Sequence, residues 1–135
     1  LISHQKRGNG ITQAIEVEPD LPLVSADGGQ IQQAVIALAT NAIDAMPDGG
    51  ILTFRVFTKG NRVMIEVEDT GAGIPQDNMS KIFEPFFTTK EVGSGTGLGL
   101  AVCYGIVSEH GGRLSVRSNV GKGTTFNIFL PAVSS

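Results

Sequence analysis

At 135 residues, with 41% hydrophobic and 17% charged residues, the chain has the size of one domain and enough apolar side chains for a core, which excludes a disordered segment. Its net charge of −3 leaves ten Lys and Arg scattered, with no basic stripe and no interleaved aromatics, so no nucleic-acid partner is expected. No apolar run is long enough to cross a bilayer, no signal peptide is visible and the single cysteine, Cys103, lies in an apolar helical run. These features predict no direct membrane contact, a buried reduced thiol and a cytoplasmic setting. The chain opens in mid-pattern at Leu1, and residues 1–10 read as the remnant of a preceding linker or helix.

"ITQAIEV" (11–17) predicts a first strand, and Asp27 followed by Gln30 has the spacing of a capping box at a helix start. From there Ile31, Ala34, Val35, Leu38, Ala42 and Ile43 recur at helical intervals until Pro47 and Gly49-Gly50. Two alternating runs, 51–57 and 62–69, are joined by "TKGN", a hairpin signal. Residues 70–97, rich in Gly, Pro and Thr, form one long irregular stretch, with a short helix near Asn78–Phe83. A loop of that length inside one domain points to a lid or binding loop. A second helix is expected from Leu98 to Glu109, then strands "RLSVRS" and "TTFNIFL".

Three polar residues fall on faces that should be apolar. Val63, Ile65, Val67 and Asp69 share one parity, so a carboxylate ends the inward face of its strand. Either the strand stops at Val67 and Asp69 begins a turn, or Asp69 lines a pocket floor, where it must find donors because burying it unpaired costs several kcal/mol. Thr124 is in phase with Phe126, Ile128 and Leu130, which adds a hydroxyl to the inner face or merely a locally bonded Thr. Asn41 lies three residues after Leu38 and seven after Ala34, on or beside the buried helix stripe and among the small residues Ala34, Ala37 and Ala45. Together the three describe a polar-lined hollow between one helix and a sheet.

"GSGTGLG" (93–99) puts four glycines into seven positions directly ahead of a helix. It is no dinucleotide fingerprint, since no strand leads into it, and no "GxxxxGK[ST]" P-loop occurs anywhere. What remains is bare backbone and a helix N-terminus, both suited to anionic oxygens. Beside a polar hollow, this reads as a nucleotide site, with the base in the hollow and the phosphates under the loop.

"NAIDA" (41–45), "DTGAGIP" (69–75), "IFEPFFTTK" (82–90), "GTGLGLAV" (95–102) and "GKGTTF" (121–126) occur in that order. They resemble the N, G1, F, G2 and final Gly-Thr boxes of the ATP-binding catalytic domain of bacterial sensor histidine kinases. The resemblance covers nearly the whole chain and implies a single catalytic domain over 1–135, with G1 box, F box and lid over 70–97. It implies an α/β (α+β) sandwich, a mixed sheet of about five strands covered on one face by about three helices, known as the Bergerat fold. By the same resemblance Asp69 accepts from the exocyclic amine of adenine, Thr124 supports that contact, and Asn41 holds Mg²⁺. Gly71 and Gly73 let the chain turn against the base. Gly95, Gly97 and Gly99 cover the phosphates and hinge the lid, which Phe83, Phe86 and Phe87 anchor, and Lys90 is the lid cation nearest the γ-phosphate. The matched boxes bring Asp44, Ala45, Ile74, Thr96, Leu98 and Leu100 into the nucleotide-binding set.

Two departures from the family pattern stand out. Ala37 occupies the place where histidine kinases usually carry a second Asn and where related ATPases and serine kinases carry a catalytic Glu. It can serve neither as a metal ligand nor as a base, and a neutral imidazole acceptor needs no base. Asp44 stands where some members carry Lys, and an acid there repels ATP unless it points away or helps the metal. The phosphoacceptor pattern of a His followed by an acid and a Pro is absent, and His4 and His110 read as exposed or structural. The fragment is therefore expected to bind Mg·ATP, to be inactive alone, and to need a histidine-bearing dimerisation domain and a response-regulator receiver domain as partners. A stand-alone ATPase or serine kinase of the same superfamily, or a non-catalytic nucleotide-binding module, are the alternatives.

Overall fold

The computed structural model describes residues 2–6, 10–79, 81–82 and 99–133. Along them run β1 (Ile2–Lys6), β2 (Ile11–Val17), α1 (Gly28–Asp44), β3 (Gly50–Lys59), β4 (Arg62–Asp69), α2 (Gly99–Glu109), β5 (Arg113–Asn119) and β6 (Gly123–Pro131). The six strands form one mixed sheet in the order β1-β2-β3-β4-β6-β5. Only β2 and β3 pair in parallel, which the crossover through α1 allows; the other neighbours are antiparallel. The sixth strand is β1, drawn from the stretch expected to be a linker remnant, and it pairs with β2.

Both helices lie on the sheet face that carries Leu52, Val67, Phe126, Ile128 and Leu114, and with it they form the core. From α1 come Ala34, Leu38 and Ala42, one turn apart in a straight stripe; from α2 come Cys103, Ile106 and Val107. Ile43, expected in that stripe, is 37% exposed because it lies round the helix from the line Ala34–Leu38–Ala42. Two helices, rather than about three, occur among the described residues. In place of the predicted helix near Asn78–Phe83 there is a single 3₁₀ turn at Gln76–Asn78, and Phe83 lies outside the described residues.

The ends of the helices are tied together. Asp27 caps α1 by accepting from the Gln30 N–H at 3.1 Å, as its spacing predicts. Its own N–H donates to His110 Nε2 at 3.1 Å, so the His110 proton sits on Nδ1 and donates to the Ile106 carbonyl at 2.8 Å. His110 is thus a structural link from the end of α2 to the start of α1. Cys103 is fully buried, and burial pushes its thiol up to about 12, which makes it an inert core residue.

Candidate nucleotide site

The site begins as one row across the sheet. Register sets Leu52 opposite Asp69, Asp69 opposite Thr124, and Thr124 opposite Ser118, so four neighbouring strands each place one side chain on the helix-covered face. Asp69 is only 3% exposed and Thr124 is buried, which resolves both parity readings in favour of inward-facing residues. Asp69 Oδ1 accepts from the Gly71 N–H at 2.8 Å, and the Thr124 N–H also donates to the carboxylate. No basic side chain pairs with it among the described residues. Burial is the main influence and raises its pKa; the two N–H donors work against that rise, and the Glu68 charge adds to it.

The turn that follows Asp69 is held from two sides. Ala72 N–H donates to the Ala45 carbonyl at the end of α1 (3.3 Å), and the Ala72 carbonyl accepts from Gly121 N–H (2.8 Å). Ile74 N–H donates to Ser118 Oγ at 2.7 Å. Backbone comes so close here that a Cβ on Gly71 would stand 2.4 Å from the Ala45 oxygen, and one on Gly73 2.3 Å from the Asn119 oxygen. Gly73 also has a φ of +80°, which excludes most other residues. These two glycines therefore let the turn fit between a helix end and the β5–β6 connection.

The helices complete the surround. Ala37, Asn41 and Ala45 follow one another at four-residue steps along α1, so they share one side of the helix. Ala45 abuts Gly71, and at the other end of the stripe the methyl of Ala37 would be 3.9 Å from a Cβ on Gly99, the first residue of α2. Half-buried Asn41 lies between, with one turn of helix on each side. Asp44 is exposed at the last position of α1, away from the buried stripe. Ile74 and Leu100 pack partly buried against the core. Phe83, Phe86, Phe87, Lys90, Gly95, Thr96, Gly97 and Leu98 lie outside the described residues.

Ser118 and Thr70 went unnoticed in the sequence. Thr70 Oγ1 accepts from the Ile51 N–H at 3.0 Å and pins the turn to β3. Ser118 was legible: it follows Leu114 and Val116 in the same alternation that singled out Thr124. Among the described residues no group of three or more His, Cys, Asp or Glu could hold a metal ion. Asn41 can offer an ion one amide oxygen, which suits Mg²⁺ only where phosphates and water supply the other ligands.

A family model described as histidine kinase-, DNA gyrase B-, and HSP90-like ATPase matches residues 26–134. The chain belongs to this family. Within it, the similarity is to histidine kinases. The sensor kinase CckA of Brucella abortus (strain 2308) is 50% identical over 92% of this chain, which spans 15% of that protein. Full-length ShkA, solved in complex with AMPPNP, superposes with a TM-score of 0.83 at 31% identity, over 94% of this chain and 27% of that one. The nucleotide-free catalytic domain of histidine kinase ThkA gives a TM-score of 0.76 at 34% identity, over 89% of this chain and 79% of that domain. The chain is thus a histidine kinase catalytic domain and corresponds to a small part of its full-length relatives. No helix among the described residues is long and apolar enough to cross a membrane.

Proposed function

We propose that this domain binds Mg·ATP and presents the γ-phosphoryl group to a histidine on a separate dimerisation domain of its parent protein. One observation carries the reading: a buried carboxylate, Asp69, faces the helices from the sheet and, among the described residues, is held by backbone N–H donors with no cation beside it. An exocyclic purine amine is the uncharged donor such a carboxylate lacks. Thr124 lies beside it as a second polar contact. Gly99, which opens α2, leads the helix N-terminus towards Ala37 and Asn41, so the triphosphate would lie where the helix dipole favours negative charge. Asn41 would hold the Mg²⁺, whose charge would offset that of the phosphates.

The chemistry asked of this chain is positioning. The β–γ phosphoanhydride bond breaks, ADP leaves, and the phosphoryl group forms a bond to an imidazole nitrogen supplied by the partner domain. A neutral imidazole already has its lone pair, so no general base is needed, which agrees with Ala37, a residue with no basic group, beside the first residue of α2. The phosphoryl group would then pass to an aspartate of a response-regulator receiver domain. The domain spans 1–135, with nucleotide-covering segments within 70–97, and it works in a cytoplasmic setting.

The test supplies a purified helical dimerisation domain with its phosphoacceptor histidine, together with radiolabelled ATP and Mg²⁺. Label should reach the histidine domain only when this chain is present, and ATP binding by calorimetry should precede it. Steady ATP hydrolysis by this chain alone would select a self-contained ATPase instead, and binding without any transfer would select a nucleotide-sensing module.

A further inference from the structure

Three hydrogen bonds converge on the Ser118 hydroxyl. Ile74 N–H donates to it at 2.7 Å, its own proton reaches the Gly123 carbonyl at 3.1 Å, and Thr124 Oγ1 lies 2.8 Å away. Ser118 has one proton for two neighbours. Given to Gly123, it leaves Ser118 free to accept from the Thr124 hydroxyl, and all three bonds are made. Given to Thr124, it leaves the Gly123 carbonyl without that bond. The arrangement with three bonds wins over the one with two. The Thr124 proton is therefore turned toward β5, and the rest of the Thr124 oxygen offers only lone pairs.

Asp69 is Thr124's direct neighbour in the row, and its ionised carboxylate also offers only lone pairs. We propose that Ser118 is a positioning residue that sets nucleobase selectivity: by holding the Thr124 proton, it makes two adjacent acceptors out of Asp69 and Thr124. Two acceptors suit a 6-amino group, which brings two N–H donors, and oppose a 6-oxo oxygen, whose lone pairs face theirs; the one donor on that edge of hypoxanthine is the neighbouring N1–H. The inference rests on the reading of Asp69 as the adenine contact. With Ser118 gone, the Thr124 hydroxyl is free to rotate and donate to a 6-oxo oxygen.

Inosine triphosphate is the probe, because it shares ribose and triphosphate with ATP and replaces the 6-amino group by oxygen, with a proton on N1. Calorimetry on the whole chain should show wild type preferring ATP, and Ser118→Ala should cut the ATP-to-ITP affinity ratio about tenfold, the worth of one redirected hydrogen bond. Ser118→Thr, which keeps a hydroxyl, should restore the ratio. Loosening of the 70–74 turn alone would weaken both nucleotides together and leave the ratio where it was. An unchanged ratio in Ser118→Ala overturns the proposal, as does a wild type that does not discriminate. If Ser118→Ala does not fold, Ser118→Cys, whose thiol fits the same space and hydrogen-bonds weakly, must lower the ratio or the proposal fails. Asp69→Asn separates the two layers: if it leaves ATP binding intact, the adenine reading fails, whereas an Asp69 effect with an unmoved Ser118 ratio sinks the Ser118 inference alone.

Discussion

Strand β4 carries three carboxylates in four residues, and the sheet treats them in opposite ways. Glu66 and Glu68 point to the face opposite α1 and α2, where Arg55 reaches both and also pairs with Glu16 at 2.7 Å, while Arg117 approaches Glu66 at 3.6 Å. Asp69 points to the helix-covered face and, among the described residues, meets N–H groups and no cation. An open face has room for long guanidinium side chains and for water, so its charges are neutralised cheaply. On the covered face no cation meets Asp69 among the described residues. A carboxylate left there with backbone donors keeps accepting capacity in reserve, and a ligand can use it. The same residue type on one strand is surface electrostatics in one phase and a recognition element in the other.

The largest effect should come from removing the reserve. In Asp69→Asn the Gly71 N–H holds the amide oxygen at the place of Oδ1, which turns the NH₂ group toward the purine amine and sets donor against donor. ATP affinity should fall about 100-fold by calorimetry, the worth of a charged hydrogen bond lost and a clash gained. The melting temperature should stay level or rise, because a buried charge has gone. Near-normal affinity would erase the difference between Asp69 and its open-face neighbours.

A smaller and opposite result is expected on the open face. Arg55→Met leaves Glu16, Glu66 and Glu68 without their shared cation. Urea unfolding should show a loss of about 1 kcal/mol at low salt, shrinking in 1 M NaCl as the repulsion is screened. ATP affinity should not change. A drop comparable to that of Asp69→Asn would mean that the two faces are coupled through β3 and β4.

Parity made much of this legible. Alternation put Asp69 and Thr124 in phase with the apolar residues of their strands but left a turn at Asp69 and a locally bonded Thr124 open; the burial of both residues decides for the inward face. The Asp27–Gln30 spacing located the start of α1 for an equally local reason. What local pattern could not show was long-range. The pairing of β1 with β2, and the parallel placement of β2 beside β3, depend on which edges remain free once the rest of the sheet has formed. The reasons for Gly71 and Gly73 are backbone atoms of Ala45 and Asn119, distant in sequence and brought near only by the fold. Ile43 satisfied the helical period and still came out exposed, since a period marks a face but not its edge. Ser118 lay within reach of the parity argument and gained meaning only once its register opposite Thr124 was known.

The finest test of the contrast is pH. Burial lifts the Asp69 carboxyl above the ordinary value of 3.8, so the folded chain holds this proton more tightly than the unfolded one. Ionising Asp69 therefore costs folding stability; the cost is absent below 3.8 and complete above the raised value. Acidification through that window relieves the cost and, in the same step, removes the acceptor that the amine requires. Wild type should lose affinity for adenosine, a ligand with no phosphates to titrate, as pH falls from 7 toward the window, followed by NMR titration. Over the same range the melting-temperature advantage of Asp69→Asn over wild type should shrink. A wild type whose adenosine affinity holds steady on acidification would place the ionised form of Asp69 outside the recognition of the base.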